Sequence, residues 1–381
     1  ETIQDTVTEW AWWQGKPEPA VVDVSSQGMR NTAFLAGVEF QPNYRPAWDA
    51  VNGPLFTELG ANGTSWVFLT PTWHYSLNNP PVLEPLPGKS SLWTGMLSSV
   101  RQAQQQGLKV AIFPRSMHTG NDESWWLDAK RDTDWWTRWF ERYTEFILYH
   151  ADLAEQSGAA ALVLGEPGIE PALPGGTLRD GSPSHLPDDA ADRWTQLLAE
   201  VRARYSGPII WAASYPGGLK VPEFVASVDQ IYILWSAPVA KSVTPEIGEI
   251  AAEFSRRLVK DIRPLSEKFS KPILLGLAFP SVNGGVRGCL KTDDGCLPFS
   301  HLDQPAGDDA NYELDLQEQA DIYQAVLQVI SLPDNAWVGG LVSRGYYPPA
   351  ALQDKSSSIH GKPAEALLAA WMTQLAVMMN K

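Results

Sequence analysis

Residues 160–166 read Ala-Ala-Leu-Val-Leu-Gly-Glu, a short apolar run that ends on a glycine and a carboxylate. Five apolar residues in succession suit a strand buried on both faces, as in a parallel sheet, better than an alternating strand with one wet face. The run lies between two longer segments of helical pattern. One covers 135–156 and is closed by Ser157 and Gly158; the other covers 190–205 and opens after the acidic pair Asp188 and Asp189. A strand between helices is the repeating unit of a parallel α/β sheet.

The same unit recurs on both sides. Upstream, apolar runs occupy 34–40 (FLAGVEF), 65–70 (SWVFLT) and 109–115 (KVAIFPR). Downstream they occupy 208–214 (PIIWAAS), 230–235 (QIYILW), 272–279 (PILLGLAF) and 337–343 (WVGGLVS). Further helical patterns cover 92–106, 245–269, 314–330 and 362–379. Eight strands with helical crossovers predict a single closed (β/α)8 TIM barrel of the α/β class. An open, doubly wound sheet is disfavoured because no glycine-rich phosphate loop follows the first strand. Such a barrel needs about 250 residues and accepts long strand-end loops. The chain of 381 residues therefore reads as a barrel over 34–381, preceded by an N-terminal extension over 1–33 that packs on it.

Composition narrows the partners. Apolar residues make up 44% and charged residues 19%, a globular balance. A formal charge of -15 opposes phosphate backbones and excludes nucleic acid. No apolar run reaches the length of a membrane span, so no transmembrane segment is expected. The two cysteines, Cys289 and Cys296, enclose the short loop LKTDDG, which a disulfide closes readily; two free thiols are the other reading. They cannot complete a four-ligand zinc site unaided. A disulfide belongs to an oxidising compartment. The chain opens at Glu1 without an initiator Met, as a processed secreted protein does, although a trimmed chain opens the same way. Secretion is the expectation.

In a barrel, chemistry sits at the C-terminal strand ends and the loops after them. After the first strand come Glu39, Gln41, Asn43 and Tyr44, and after the second Trp73, His74 and Tyr75. Arg115, His118, Asp122, Glu123, Trp125 and Trp126 follow the third, and Glu166 and Glu170 the fourth. Trp211 and Tyr215 follow the fifth, Trp235 the sixth, and Arg344, Tyr346 and Tyr347 the eighth. Aromatic faces stack on the C–H faces of sugars and polar groups read their hydroxyls, so this ring predicts a carbohydrate ligand and no cofactor. The seventeen tryptophans of the chain fit that reading.

Glu166 is the leading candidate for a general acid. A rigid strand carries it to the barrel mouth, and partial burial there raises its pKa. A salt-bridged or capping glutamate is the alternative. Glu170 reads as a partner carboxylate, a ligand-binding group or a loop glutamate, and Glu39 as a contact to a substrate hydroxyl or a supporting group. His74 and His118 are isolated, with no H-x-x-x-H spacing, so hydrogen-bonding roles are expected and no metal. Arg115 and Arg344 are expected to pair with mouth carboxylates. Asp293 and Asp294 read as turn formers. A calcium site combining them with Asp308 and Asp309 lacks the EF-hand spacing. Trp135, Trp136 and Trp139 stand at helical spacing and read as core.

The segments GVEFQPNYRPAW, LGANGTSWVFLTPTWH, QQGLKVAIFPR, WFERYTEFILYHADLAEQSGAAALVLGEP and SSSIHGKPAEALLAAW follow one another in barrel order. In that order the chain resembles the clan A glycoside hydrolases, most of all family 113, which includes β-mannanases, over about residues 34 to 371. The resemblance implies two glutamates: an acid/base after strand four and a nucleophile after strand seven. Glu166 matches the first, preceded by Gly165 where many clan A members carry asparagine. At the second place stand Leu277, Ala278 and Phe279, and no shift of one or two residues supplies an acid.

A retaining glycosidase holds its carboxyl groups about 5 Å apart, with one as nucleophile. Here a second carboxylate would come from Glu39, Glu170, Asp122 or Glu123, and inversion at a separation of roughly 6.5–9.5 Å is then open. The leading expectation is a secreted glycoside hydrolase acting on an oligo- or polysaccharide. The alternative is a barrel that binds carbohydrate without cleaving it. A metal- or phosphate-dependent enzyme lacks a dense ligand set.

Overall fold

The computed structural model of the chain describes residues 34–379, apart from positions 119, 121, 218, 220, 243, 293–294, 303–309 and 351–352. The N-terminal extension expected over 1–33, Asp293, Asp294, Asp308, Asp309 and the side chain of Glu123 lie outside the described residues. All eight apolar runs form strands: β1 Leu35–Phe40, β2 Trp66–Leu69, β3 Lys109–Ile112, β4 Ala161–Leu164, β5 Ile209–Tyr215, β6 Gln230–Trp235, β7 Ile273–Leu277 and β8 Val338–Tyr346. They close on themselves in the order β1-β8-β7-β6-β5-β4-β3-β2. Neighbours such as β1 and β8, β7 and β8, β3 and β4, and β4 and β5 pair in parallel. The fold is a (β/α)8 barrel.

The helices are α1 Asn52–Ala61, α2 Trp93–Gln105, α3 Asp122–Asp128, α4 Thr133–Ser157, α5 Ala190–Arg204, α6 Ile247–Arg257, α7 Arg263–Phe269, α8 Leu316–Ile330 and α9 Pro363–Met379. A π turn over Leu258–Ile262 joins α6 to α7. Between β5 and β6 the described residues form a 3₁₀ turn, Glu223–Ser227, in place of a crossover helix. Two elements differ from expectation in an instructive way. Helix α1 carries Gly53, Pro54 and Gly60, whose helix-breaking character hides it in the sequence. The run at 109–115 is two strands: β3 ends at Ile112, and Arg115–His118 starts afresh in a separate sheet. Pro114 lies at the break, where a residue without an N–H cannot continue the ladder.

That separate sheet lies beyond the β2 and β3 strand ends. Thr72–Leu77 pairs with Val82–Glu84 in antiparallel and with Arg115–His118 in parallel, Thr72 opposite Arg115 and Tyr75 opposite His118. Residues expected in loops are thus held by backbone hydrogen bonds.

The chain divides into two compact units. One holds Pro42–Phe56 and Val67–Ile233; the other holds the described residues up to Gln41, Thr57–Trp66 and those from Leu234 on. In the first, α4 is the organising element. Asp132 caps it by accepting the Trp135 N–H at 2.8 Å, and Gly158 ends it in the left-handed conformation at φ 66°. Its apolar face buries Trp135, Trp136, Trp139, Phe140, Tyr143 and Phe146. Trp139 stacks on Tyr143 at 4.8 Å, and Trp194 of α5 meets Tyr143 edge-on at 5.5 Å. Each such ring removes about 150–250 Å² from water, so the core reading of this cluster is correct.

In the other unit, α8 is capped by Asp315, which accepts the Glu318 N–H at 2.8 Å. The Trp371 indole of α9 donates to Ser331 at 3.1 Å and packs on Phe34 at 5.5 Å. Cys289 and Cys296 form a disulfide with Cα atoms 5.7 Å apart, across a hairpin of Leu290–Thr292 and Gly295–Leu297. Among the described residues no helix is long and apolar enough to cross a membrane.

Removing the central ring of the α4 core tests this account. Trp139→Ala should lower stability by about 3–5 kcal/mol, read as a fall in the urea midpoint followed by circular dichroism.

Candidate active site

The site is built outward from the end of β4, all four residues of which are buried. Gly165 then takes φ +80°, and a Cβ placed on it would meet the Ala212 carbonyl and, at 2.6 Å, the Trp211 ring. No side chain fits there, which accounts for glycine where the resemblance led to asparagine. The left-handed step directs Glu166 inward, where it is 2% exposed. Its Oε2 accepts the backbone N–H of Ser116, with the Arg115 Nε at 3.8 Å. Arg115, expected as a carboxylate partner, holds that place and also lies over the Phe113 ring at 5.0 Å.

Burial pushes the Glu166 carboxyl up to about 8. The Arg115 charge, the Ser116 side chain and N–H and the Tyr143 hydroxyl all pull the other way. Desolvation wins because Arg115 stands off at 3.8 Å while the carboxyl has lost nearly all its water. Burial thus favours the protonated form of Glu166. Burial, with the neighbouring Glu166 charge, drives the Tyr75 and Tyr143 hydroxyls well above their ordinary range.

A cavity of about 520 Å³ opens in the same unit, lined among others by Asp122, Trp126, Glu170, Leu178, Arg179 and Ser214. Glu170 is fixed at both oxygens, accepting the Gly168 N–H at 2.8 Å and the Ser214 hydroxyl at 2.9 Å. The Trp126 indole donates to the Gly168 carbonyl at 2.9 Å, which holds its ring in the wall. Asp122 meets His118 Nδ1 at 2.9 Å. The His118 ring stacks on Tyr75 at 4.9 Å and packs against Trp125 at 4.7 Å.

The remaining candidates are distributed differently. Trp73 packs on Phe146, Tyr149 and His150 of α4. His74 sits 3.4 Å from the Ser90 hydroxyl, its pKa lowered by burial and by Lys89. Trp211 packs against Trp194 and Phe224, and Tyr215 is buried at the end of β5. In the other unit, Arg344 donates to Glu39 at 3.1 Å, as expected of a carboxylate pair. Trp235 packs on Phe254 of α6 and donates to the Ala237 carbonyl. The Tyr346 hydroxyl donates to Glu365 of α9 at 2.6 Å, and Tyr347 is buried. Successive strand residues point to opposite faces, so several strand-end aromatics turn toward the helices.

The exit of β7 carries no acid: Leu277 and Phe279 are fully buried, and Phe279 packs on Phe299 at 5.9 Å. Glu318 of α8 approaches the following loop, but both its oxygens accept backbone N–H groups, of Gly284 and Val286. Tyr143 and Ser116 escaped notice in the sequence. Tyr143 belongs to the same helical stripe as the core tryptophans, and Ser116 acts in part through its backbone N–H.

The fold is that of glycoside hydrolases built on (β/α)8 barrels. A family 113 β-1,4-mannanase superposes with a TM-score of 0.66 at 19% identity, covering 89% of this chain and 98% of that one. The family 113 β-mannanase from Alicyclobacillus acidocaldarius, solved in complex with ManMIm, gives 0.65 at 20% identity, with 90% and 98% covered. A subfamily GH5_18 protein from Bifidobacterium longum, in complex with Manb1-4GlcNAc, gives 0.54 at 16%, with 90% and 78% covered. No protein-family model and no curated protein sequence matches the chain.

Two outcomes follow from Gly165 and Glu166. Gly165→Ala combines a left-handed backbone with overpacking and should destabilise by about 2–4 kcal/mol, read by chemical denaturation. Glu166 carries a folded-state pKa of about 8 against an ordinary 4.5, so between those values only the folded chain keeps the proton. Stability is then unpenalised below pH 4.5 and is lost as pH rises toward 8. Thermal melts from pH 5 to 8 should show Glu166→Gln gaining on the wild type by several degrees. A constant difference would mean that Glu166 is ionised in the folded chain.

Proposed function

We propose that the chain is a secreted glycoside hydrolase acting on an oligo- or polysaccharide, with Glu166 as its general acid. The observation that carries this reading is a carboxyl group just past the end of β4 whose burial favours its protonated form. In the reaction, Glu166 gives that proton to the glycosidic oxygen as the bond to the anomeric carbon breaks. The carboxylate left behind has the Ser116 N–H as a donor and the Arg115 guanidinium as a nearby positive charge, both in place for the charge that forms.

Glu170 and Asp122, which line the cavity of about 520 Å³, are the proposed sources of the second carboxylate. Either would take a proton from a water attacking the anomeric carbon from the opposite face, which inverts its configuration. Trp126 is the proposed sugar platform, with Trp125 and His118 behind it. Glu39, paired with Arg344, has a supporting role. The disulfide supports secretion. The charge of -15 supports a neutral ligand over nucleic acid. The division into an extension over 1–33 and a barrel over 34–381 belongs to the same proposal.

One observation favours a second reading, a carbohydrate-binding barrel without turnover: the β7 exit is filled by buried Leu277 and Phe279. A panel of glycans, assayed for reducing ends and by calorimetry, separates the two. For a hydrolase, Glu166→Gln should keep oligosaccharide affinity within a few-fold while turnover falls at least ~100-fold. Unchanged turnover would remove Glu166 from the mechanism. Binding by the wild type with no reducing ends released from any glycan would select the second reading.

A further inference from the structure

Far along the chain from Glu166, three side chains of one unit converge: Glu58 on α1, His360 in the loop before α9, and Glu365 in the first turn of α9. One ligating atom from each lies within 4.8 Å of the others. We propose that Glu58, His360 and Glu365 bind a divalent transition-metal ion, with zinc as the cation whose ligand preferences they match.

His360 Nδ1 lies 2.8 Å from the Tyr347 carbonyl. A carbonyl only accepts, so Nδ1 carries the hydrogen, and Nε2 is the nitrogen that can offer a lone pair to a cation. The ring stacks on Tyr346 at 4.8 Å, with 19° between the planes, which fixes where Nε2 points. His360 is 7% exposed, and among the described residues Nε2 has no hydrogen-bond partner; Glu58 Oε2 stands at 3.8 Å, beyond hydrogen-bond reach. Facing a carboxylate oxygen, Nε2 is satisfied either by a proton, which makes the contact an ion pair, or by a metal cation between the two.

Glu365 is prepared in the same manner. Its Oε1 accepts the Tyr346 hydroxyl at 2.6 Å and its Oε2 the Gly361 N–H at 2.7 Å. Each oxygen keeps further acceptor capacity in a fixed direction. A metal-binding histidine characteristically donates its other N–H to a carbonyl, and ligating carboxylates are themselves hydrogen-bonded. Both arrangements occur here. Glu58, with its side chain 53% exposed, is the adjustable arm and the side from which an ion enters. It can close the separation to what Zn–N and Zn–O bonds of about 2.0–2.2 Å need, with water completing four-coordination. One nitrogen and two carboxylate oxygens suit zinc better than calcium, which takes six or more oxygens. No linear spacing announces the site, because Glu58 joins it from the other end of the chain. The ion would tie α1, the exit of β8 and α9 together.

The test is a calorimetric titration of the full, untagged, chelator-stripped chain with zinc chloride, paired with thermal melts with and without the metal. The wild type should take up one equivalent and melt several degrees higher with zinc. His360→Gln should weaken uptake at least ~100-fold and abolish the thermal shift. Glu58→Gln alters an exposed side chain, so it carries the test if His360→Gln fails to fold; it should weaken uptake at least ~10-fold. No stoichiometric uptake by the wild type would overturn the proposal. Uptake as tight in Glu58→Gln and folded His360→Gln as in the wild type would overturn it equally, leaving His360 as an ordinary ion-pair partner.

Discussion

The candidate site depends on one close approach. Gly165 runs so near the Ala212 carbonyl and the Trp211 ring that a hydrogen is all that fits in place of a side chain. The contact has two effects at once. It lets β4 and β5 stay packed where the chain leaves the barrel, and it turns the following peptide so that Glu166 points inward. Burial raises the carboxyl pKa, and the loose distance to Arg115 leaves that effect uncancelled. The chemistry proposed for Glu166 is thus set by packing at its neighbour. A residue that looks inert in the sequence decides the protonation state of one that does not.

The barrel was readable because its strands are buried on both faces and appear as uninterrupted apolar runs. What periodicity could not supply was the break at Pro114, which moves Arg115 and Ser116 into another sheet, or helix α1, masked by its glycines and proline. The site was legible at Glu166, where a charge follows an apolar strand. It was less so among the aromatics. Trp235 and Tyr346 lie at strand ends as expected, whereas Trp211 is the third of the seven residues of β5, and all three pack against helices. A shift of one residue along a strand exchanges its faces, and apolar runs without alternation leave that choice open. Tyr143 was hidden for a related reason: one helical stripe serves both as core and as the lining of Glu166.

The likeness to family 113 structures extends over nearly the whole barrel at 19–20% identity, and at that distance it speaks for the fold. Against this shared frame the exit of β7 stands out. Phe279 is fully buried against Phe299, so a carboxylate placed there would lose its hydration to an aromatic neighbour. The apolar character of this exit is therefore embedded in local packing. A single substitution of Phe279 by glutamate would meet a pocket shaped for a hydrocarbon ring.

The small sheet of Thr72–Leu77, Val82–Glu84 and Arg115–His118 bears on how the molecule would handle a ligand. The donors facing Glu166 belong to a hydrogen-bonded ladder. A ladder resists the wide dihedral excursions by which a loop wraps around whatever arrives. For the proposed hydrolase, recognition would work by selection: a glycan would have to present, or be twisted into, the shape the ladder dictates. The energy of that twisting would come from binding along the rest of the glycan and would favour long chains over single sugars.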